Sequence, residues 1–107
     1  MTWKMFLDDE RFPDVLYDDF ESVDWVIVRS FQDAKWHVLN RGLPRFISFD
    51  HDLGSHTWTG MDFAKWFCDY VMDNDLSLEG FDFHVHSQNP VGAENIKSYM
   101  TQFLKDY

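Results

Sequence analysis

Three short polar segments of the chain contain the side chains best suited to chemistry. Residues 8–11 read Asp-Asp-Glu-Arg, residues 50–54 read Asp-His-Asp-Leu-Gly, and residues 86–90 read His-Ser-Gln-Asn-Pro. Carboxylates bind hard divalent cations, imidazole exchanges protons near neutral pH, and hydroxyl, amide and guanidinium groups donate hydrogen bonds to phosphate oxygens. Together the three segments predict a site that handles phosphate.

The acidic residues of the first two segments suggest a metal site. Carboxylates brought close together without a cation repel each other, which raises their pKa values. Asp9 and Asp50, together with Asp8 or alternatively Asp52, supply the hard oxygen ligands that Mg²⁺ and Mn²⁺ prefer. We therefore expect a divalent metal, Mg²⁺ or Mn²⁺, with water and phosphate oxygens completing its coordination.

The third segment predicts proton transfer and phosphate contacts. His86 has the side chain type for a general acid or base near neutral pH, with Asp50 and Asp52 as catalytic carboxylates. A helix that begins after residue 89 adds backbone N–H groups that favour an anion. The residues expected to contact phosphate are Arg11, Ser87, Asn89 and Gly92.

Each of these residues also has a structural interpretation. An acid such as Asp8 often caps the turn after a strand, and a histidine in a strand, such as His84, is often a hydrogen-bonded structural residue. Asn89 followed by Pro90 is a typical helix start, and Gly92 permits tight packing as well as a close approach to a ligand. These residues form a site only if the three segments meet in space.

Four short apolar runs, rich in aromatic and β-branched residues, predict the strands that position these segments. They are residues 4–7, 25–29, 45–49 and 81–86. Helices are predicted after the second, third and fourth strands, because capping residues precede stripes of apolar side chains there. The capping signals are Ser30 with Asp33, Thr59 with Asp62, Asn89 with Pro90, and a stop at Gly42.

The order of these elements predicts one α/β domain over residues 1–107 with a mainly parallel, four-stranded sheet. In such sheets ligands bind beyond the carboxyl ends of the strands, where all three polar segments fall. The connection from Asp8 to Ser22 has only a poor helical stripe, and we expect a loop with one helical turn there.

Four motifs give the chain a resemblance to a known family. They are Leu-Asp-Asp-Glu-Arg-Phe-Pro at 7–13, Ser-Phe-Asp-His-Asp-Leu-Gly at 48–54, Thr-Gly at 59–60 and His-Ser-Gln-Asn-Pro-Val-Gly-Ala-Glu-Asn-Ile at 86–96. With them the chain resembles the cyclic-phosphate processing receiver domain. Response-regulator receivers also place acids after the first and third strands, so the segment that begins at His86 is the distinguishing one.

The resemblance implies a small receiver-like three-layer sandwich that processes 2′,3′-cyclic phosphate at RNA or nucleotide ends, in RNA repair. It implies that Asp8 and Asp9 are the receiver acidic pair, Asp50 the residue at the acceptor position, and Ser87 the hydroxyl residue after the fourth strand. The sequence has one helix after that strand, with no fifth strand and no lysine at its tip. It is therefore truncated relative to signalling receivers, and phosphotransfer signalling is not expected.

Charge and composition limit the partners. The 107 residues include 19 acidic and 9 basic ones, for a net charge of -10, so extended binding to duplex nucleic acid and to anionic membranes is disfavoured. A small nucleotide or an RNA terminus remains compatible with a local site. The single cysteine, Cys68, excludes an internal disulfide, and no apolar run is long enough for a membrane span. We expect a cytoplasmic protein.

Two other functions are compatible with the same residues. The protein can bind a nucleotide without turning it over. It can also present an acidic surface to a protein partner and act as a nucleic-acid mimic that inhibits it. The acids that such a mimic would use in the first connection are Asp14, Asp18, Asp19, Glu21 and Asp24.

Overall fold

A computed structural model of the chain describes residues 3–13, 25–54 and 58–107. Four strands form one sheet: β1 (Lys4–Leu7), β2 (Trp25–Val28), β3 (Phe46–Phe49) and β4 (Asp82–Val85). Three helices follow β2, β3 and β4 in turn: α1 (Phe31–Arg41), α2 (Gly60–Asp73) and α3 (Pro90–Asp106). The predicted α/β class and receiver-like arrangement are confirmed.

The sheet has the strand order β2-β1-β3-β4, and all three pairings are parallel. The predicted second, third and fourth strands are each slightly too long. Arg29 leaves β2 because its N–H bonds to the carboxylate of Asp33 at 3.3 Å. Phe81 precedes β4 because its N–H closes a turn onto the carbonyl of Leu78 at 3.0 Å. The central residues of every predicted strand are correct.

Each helix begins at the residue that its sequence indicates. The Ser30 hydroxyl accepts from the N–H of Asp33, and Thr59 and Asp62 form a reciprocal capping box. The side chain of Asn89 accepts from the N–H of Gly92, with proline at the first helical position. These caps fix where each helix leaves the carboxyl edge of the sheet.

The hydrophobic core lies between the sheet and the three helices. It contains the alternate strand residues Met5, Leu7, Val28, Ile47 and Phe49, all fully buried. Alternate side chains of a strand point to opposite faces, so these five residues share one face of the sheet. Buried residues of all three helices belong to the same core, so all three helices cover that face. A third layer on the other face would involve residues 14–24, which lie outside the described residues, as does most of the predicted loop from Asp8 to Ser22.

Cys68 is a core residue, as predicted. It is fully buried on α2, and burial raises the pKa of its thiol to about 12. A thiol with so high a pKa is not a nucleophile at neutral pH.

In the described part of the chain, no helix combines the length and the apolar character needed to cross a membrane.

Candidate functional site

The register of the sheet brings the three polar segments together. Phe6, Ser48 and His84 lie side by side in β1, β3 and β4. Because the side-chain period of a strand is two, the residues two positions further on form the next row on the same face. That row is Asp8, Asp50 and His86, and it lies at the carboxyl edge of the sheet, on the face opposite the described helices.

The backbone continues the ladder past the strand ends. The N–H of Asp50 bonds to the carbonyl of Leu7 at 2.9 Å, and the N–H of His86 bonds to the carbonyl of Phe49 at 2.9 Å. These bonds hold the row in register although it lies beyond the strands. One ligand atom from each of Asp8, Asp50 and His86 lies within 4.8 Å of the other two, and all three residues are buried. This spacing is that of a metal site, and the hydrogen bonds described next decide which of the three residues has a lone pair free for a metal.

Asp8 is saturated with hydrogen bonds. Its Oδ1 accepts from the N–H of Glu10 at 2.9 Å and of Arg11 at 2.8 Å. Its Oδ2 accepts from Arg11 Nε at 2.8 Å and pairs with His86 Nε2 at 3.0 Å. Burial alone raises the pKa of Asp8, but these hydrogen bonds and the guanidinium charge outweigh it, so the pKa is lowered. Asp8 is therefore a carboxylate with no lone pair left for a ligand.

Arg11 lies between the two buried carboxylates. Its Nε pairs with Asp8, and its Nη2 lies 3.8 Å from Asp50 Oδ2 and 3.5 Å from the carbonyl of His86. The side chain is a quarter exposed, 25%. A guanidinium in this position supplies positive charge to an acidic centre and still reaches solvent, where it can meet a phosphate.

Hydrogen bonds and ring stacking fix the His86 side chain. Its Nδ1 lies 2.7 Å from the Ser48 hydroxyl, and its ring stacks on Phe6 with a centroid distance of 4.7 Å. Burial lowers the pKa of His86, against the opposing effect of Asp8, so the ring is neutral at pH 7. A neutral ring satisfies both contacts when Nε2–H donates to Asp8 and Ser48 donates to Nδ1.

Asp50 differs from Asp8 in its environment. Burial and the nearby charge of Asp8 raise the pKa of Asp50, and hydrogen bonds from Ser87 and the His51 backbone, with the Arg11 charge, offset this only in part. The backbone at this point is tightly packed, because a Cβ on Gly60 would lie 1.8 Å from the Asp50 carbonyl oxygen. The position of Asp50 is therefore fixed, but the hydrogen bonds and positive charge around it stabilise its ionised form only in part.

A second histidine lies beside Asp50. His51 Nδ1 pairs with Asp52 Oδ1 at 2.8 Å, and the same oxygen accepts from Asn89 Nδ2 at 3.4 Å. The His51 ring lies on Gly92, where an added Cβ would come within 2.4 Å of it. Among the described residues, His51 Nε2 has no hydrogen-bond partner. The hydrogen bond from His51 lowers the pKa of Asp52, which is therefore ionised.

A pocket of about 310 Å³ opens next to the row of Asp8, Asp50 and His86. The side chain of Asp9 is exposed and, unlike that of Asp8, faces this pocket. The residues that line it are Asp9, Glu10, Arg11, Asp50, Asp52, Gly54 and Gln88. Four carboxylates and one guanidinium thus surround a space large enough for a small phosphate group.

The structure brings most of the predicted site residues to one edge, but it gives several of them structural partners. Ser87 bonds to Asp50 and accepts from the N–H of Asn89 at 3.1 Å, and Asn89 caps α3. Gly92 is packed under the His51 ring. Their predicted roles as phosphate contacts stay predictions, as do the catalytic roles of His86, Asp50 and Asp52.

Sequence reasoning missed three residues of the site. Ser48 begins the motif at 48–54 but has no predicted role, because it lies in an apolar strand; a polar residue on a buried face nevertheless needs a partner. Arg29 bonds to the carbonyls of Asp8 at 3.2 Å and Arg11 at 2.6 Å, and so holds the loop after β1. His51 lies between two predicted site residues, and its spacing alone could have indicated a role.

Comparisons with known proteins agree with this geometry. The family model described as the cyclic-phosphate processing receiver domain matches residues 3–102, which include the three polar segments, the four strands, α1, α2 and most of α3. No curated protein and no solved structure matched the chain. Because the match covers nearly the whole sequence, the chain belongs to the cyclic-phosphate processing receiver domain family.

Proposed function

We propose that this protein hydrolyses a 2′,3′-cyclic phosphate at the end of an RNA or on a small nucleotide, assisted by a divalent metal. The supporting observation is the buried row of Asp8, Asp50 and His86 beside an acidic pocket, in a member of a cyclic-phosphate processing family. In this hydrolysis a water oxygen bonds to phosphorus, and one of the two bonds from phosphorus to a ribose oxygen breaks. The products are a phosphomonoester and a free ribose hydroxyl.

The donor set fits a divalent cation at Asp50 better than at Asp8. Asp50 and Asp9 line the same pocket, whereas every lone pair of Asp8 is already used by a donor within the protein. Burial and Asp8 also leave the Asp50 charge poorly compensated, and a nearby cation relieves that. When bound, a metal supplies positive charge that offsets the charge of the phosphate. We assign Asp50 and Asp9 as its ligands and Asp8 as a positioning residue.

Arg11 is the residue that we assign to the phosphate itself. It is the only basic residue among the described residues that line the pocket, and its guanidinium already lies between the two buried carboxylates. Its Nε stays paired with Asp8, while its Nη2, held only by long contacts to the His86 carbonyl at 3.5 Å and to Asp50 at 3.8 Å, can turn toward a phosphate oxygen. Asp8 thereby orients the arginine.

Proton transfer is better suited to His51 than to His86. During hydrolysis the attacking water loses a proton and the departing ribose oxygen gains one. Both ring nitrogens of His86 are engaged inside the protein, by Asp8 and Ser48. His51 has one nitrogen oriented by Asp52 and the other without a partner among the described residues, which is the arrangement of an oriented acid or base. Asp52 lines the pocket and His51, its hydrogen-bond partner, lies behind it, so we assign proton transfer to this pair and a positioning role to His86.

The test uses 2′,3′-cyclic AMP as the probe, with Mg²⁺, Mn²⁺ or EDTA, and follows the products by ³¹P NMR. We expect conversion to a phosphomonoester with metal and none with EDTA. Asp50→Asn and His51→Asn should each lower turnover by about 100-fold or more, as expected for loss of a metal ligand or a proton-transfer group. Intact cyclic nucleotide after long incubation with either metal contradicts the proposal.

Matched controls separate these roles from folding. Asp73→Asn changes an exposed aspartate at the end of α2, and His37→Asn changes a histidine on α1, away from the pocket. Both should keep full turnover. All variants are compared for thermal unfolding, and only those within a few degrees of the parent protein are interpreted. Equal activity in Asp50→Asn and Asp73→Asn overturns the assignment of Asp50.

Binding without turnover is the second candidate function. The engagement of His86, Ser87 and Asn89 in internal hydrogen bonds favours it, because fewer groups then remain free for chemistry. An equimolar complex from which the cyclic nucleotide is recovered intact would support it. The nucleic-acid mimic rests on acids of residues 14–24, outside the described residues, and it stays a prediction, as does the cytoplasmic location.

A further inference from the structure

A groove between α1 and α2 exposes large apolar side chains on the outer surface of the helical layer. It encloses about 700 Å³. Trp36 is 56% exposed, Leu39 51% and Trp58 39%. Phe31 and Trp66 contribute further aromatic surface, and the rings of Phe31 and Trp58 stack at 4.7 Å. These five residues define the helix groove.

The helix groove differs from ordinary scattered exposure of apolar residues. Trp36 and Leu39 are three residues apart, so they lie on the same side of α1, next to the aromatic residues of α2 and the segment before it. A contiguous apolar surface of this kind marks an interaction site, and tryptophan is among the residues that contribute most to binding at interfaces.

Four charged residues border the helix groove, and their charges cancel: Lys35, Lys65, Asp62 and Asp69. Within the part of the chain that the structure describes, Lys65 and Asp69 have no ion-pair partner, although they lie four residues apart on α2. The chain as a whole has a net charge of -10. The helix groove is therefore a locally neutral surface on a strongly acidic protein.

We propose that a second copy of this chain docks on the helix groove. A two-fold dimer brings the same patch of both copies together, so that patch must complement itself in shape and charge. The helix groove does so: it has a protruding Trp36, a cavity to receive an apolar side chain, and equal numbers of lysines and aspartates. Two chains of charge -10 repel each other least where a neutral surface meets a neutral surface.

The same charge balance disfavours a nucleic acid as the occupant. Proteins that bind single strands combine aromatic platforms with net positive charge, and here two aspartates cancel the two lysines. The helix groove also lies on the helical side of the sheet, whereas Asp8, Asp50 and His86 lie on the opposite face. Docking of a second copy therefore leaves the proposed catalytic pocket open, and the dimer does not depend on the proposed function.

Sedimentation equilibrium of the full chain, from about 1 μM to about 1 mM, measures the dimer constant over the range of ordinary affinities. We expect a reversible dimer. Trp36→Ser should weaken it by at least about 30-fold, the effect of losing a dominant interface residue. Met72→Ser changes an exposed apolar residue that lies on α2, outside the helix groove, and it should leave the dimer constant unchanged. A monomer throughout, or a dimer unaffected by Trp36→Ser, overturns the proposal.

A charge exchange tests self-complementarity. The proposed dimer pairs Lys65 of each copy with Asp69 of the other. Lys65→Glu and Asp69→Lys then each create repulsion across the two-fold axis, so each protein alone should dimerise more weakly than the parent. An equimolar mixture should form heterodimers, because each altered charge then meets its opposite. No gain on mixing contradicts the proposal. Binding of a single-stranded RNA oligomer to monomeric protein, lost in Trp36→Ser, would assign the helix groove to another occupant and overturn it as well.

Discussion

Two neighbouring corners of the sheet edge hold buried aspartates in opposite electrostatic states. The Asp8 corner, residues 8–11 with His86, surrounds its carboxylate with four hydrogen-bond donors, and the pKa of Asp8 is lowered. The Asp50 corner, residues 50–54 with Ser87, leaves its carboxylate with fewer donors and next to another acid, and the pKa of Asp50 is raised. The difference shows that donors, and not burial alone, set the charge of each group.

This contrast indicates that the two corners have different roles. The Asp8 corner is complete without a ligand, so it contributes to stability and orients Arg11 and His86. The Asp50 corner is held by backbone packing against Gly60, and its carboxylate gains most from a bound cation.

The largest expected effect comes from breaking the Asp8 corner. Asp8→Asn removes the charge that pairs with Arg11 and that accepts the hydrogen bond from His86, and the loss of one partner in a buried ion pair costs about 3 to 5 kcal/mol. Because Arg11 is partly exposed, we expect the lower end, about 3 kcal/mol, in urea unfolding. Asp50→Asn, the matched change in the other corner, should be neutral or stabilising. Equal destabilisation by the two substitutions would remove the contrast.

The Asp50 corner should instead be most sensitive to changes at Gly60, whose backbone packs against the Asp50 carbonyl group. A Cβ on Gly60 would lie 1.8 Å from the Asp50 carbonyl oxygen, so Gly60→Ala must displace α2 or the strand end. We expect a loss of about 2 to 3 kcal/mol, as for overpacked cores. The three atoms nearest to a Cβ on Gly92 all belong to the His51 side chain, which can move more easily than backbone, so Gly92→Ala should cost about 1 kcal/mol. Thermal unfolding that ranks the two variants the other way would contradict the packing described here.

A smaller effect is expected at the hydroxyl behind His86. Ser48→Ala leaves Nδ1 of the buried ring without its donor, which costs about 1 to 2 kcal/mol. Ser98→Ala, on the exposed side of α3, is the control and should be neutral. If both substitutions were neutral in chemical unfolding, His86 would not need Ser48, and the tautomer assigned above would be wrong.

The sequence predicted the positions of the elements better than the partners of the site residues. Capping pairs such as Thr59 with Asp62 are local, and parallel strands bring their carboxyl ends together, so the meeting of the three polar segments at one edge followed from local patterns. Which residue of the Asp8–Asp9 pair is buried depends on sheet register. The contacts of His86 with Ser48 and Phe6 also depend on register, which spacing along one strand does not reveal.

The smallest effect is the pH dependence of stability. The folded-state pKa of Asp50 is raised above 3.8, so its contribution to stability is fully present below pH 3.8 and is lost as the pH rises through the folded value. The pKa of Asp8 is lowered, so its contribution is present above pH 3.8 and is lost only at more acidic pH. Asp50→Asn should therefore gain stability over the parent protein as the pH rises from 4 toward 7, as measured by urea unfolding at each pH.

The most direct measurement is a carboxyl ¹³C NMR titration of the aspartates, with and without Mg²⁺. We predict that the pKa of Asp50 lies above 3.8 and that of Asp8 below it, and that Mg²⁺ moves the Asp50 transition to lower pH while the Asp8 transition stays in place. An Asp50 that titrates below 3.8 without metal, or a Mg²⁺ response at Asp8 and none at Asp50, would contradict it.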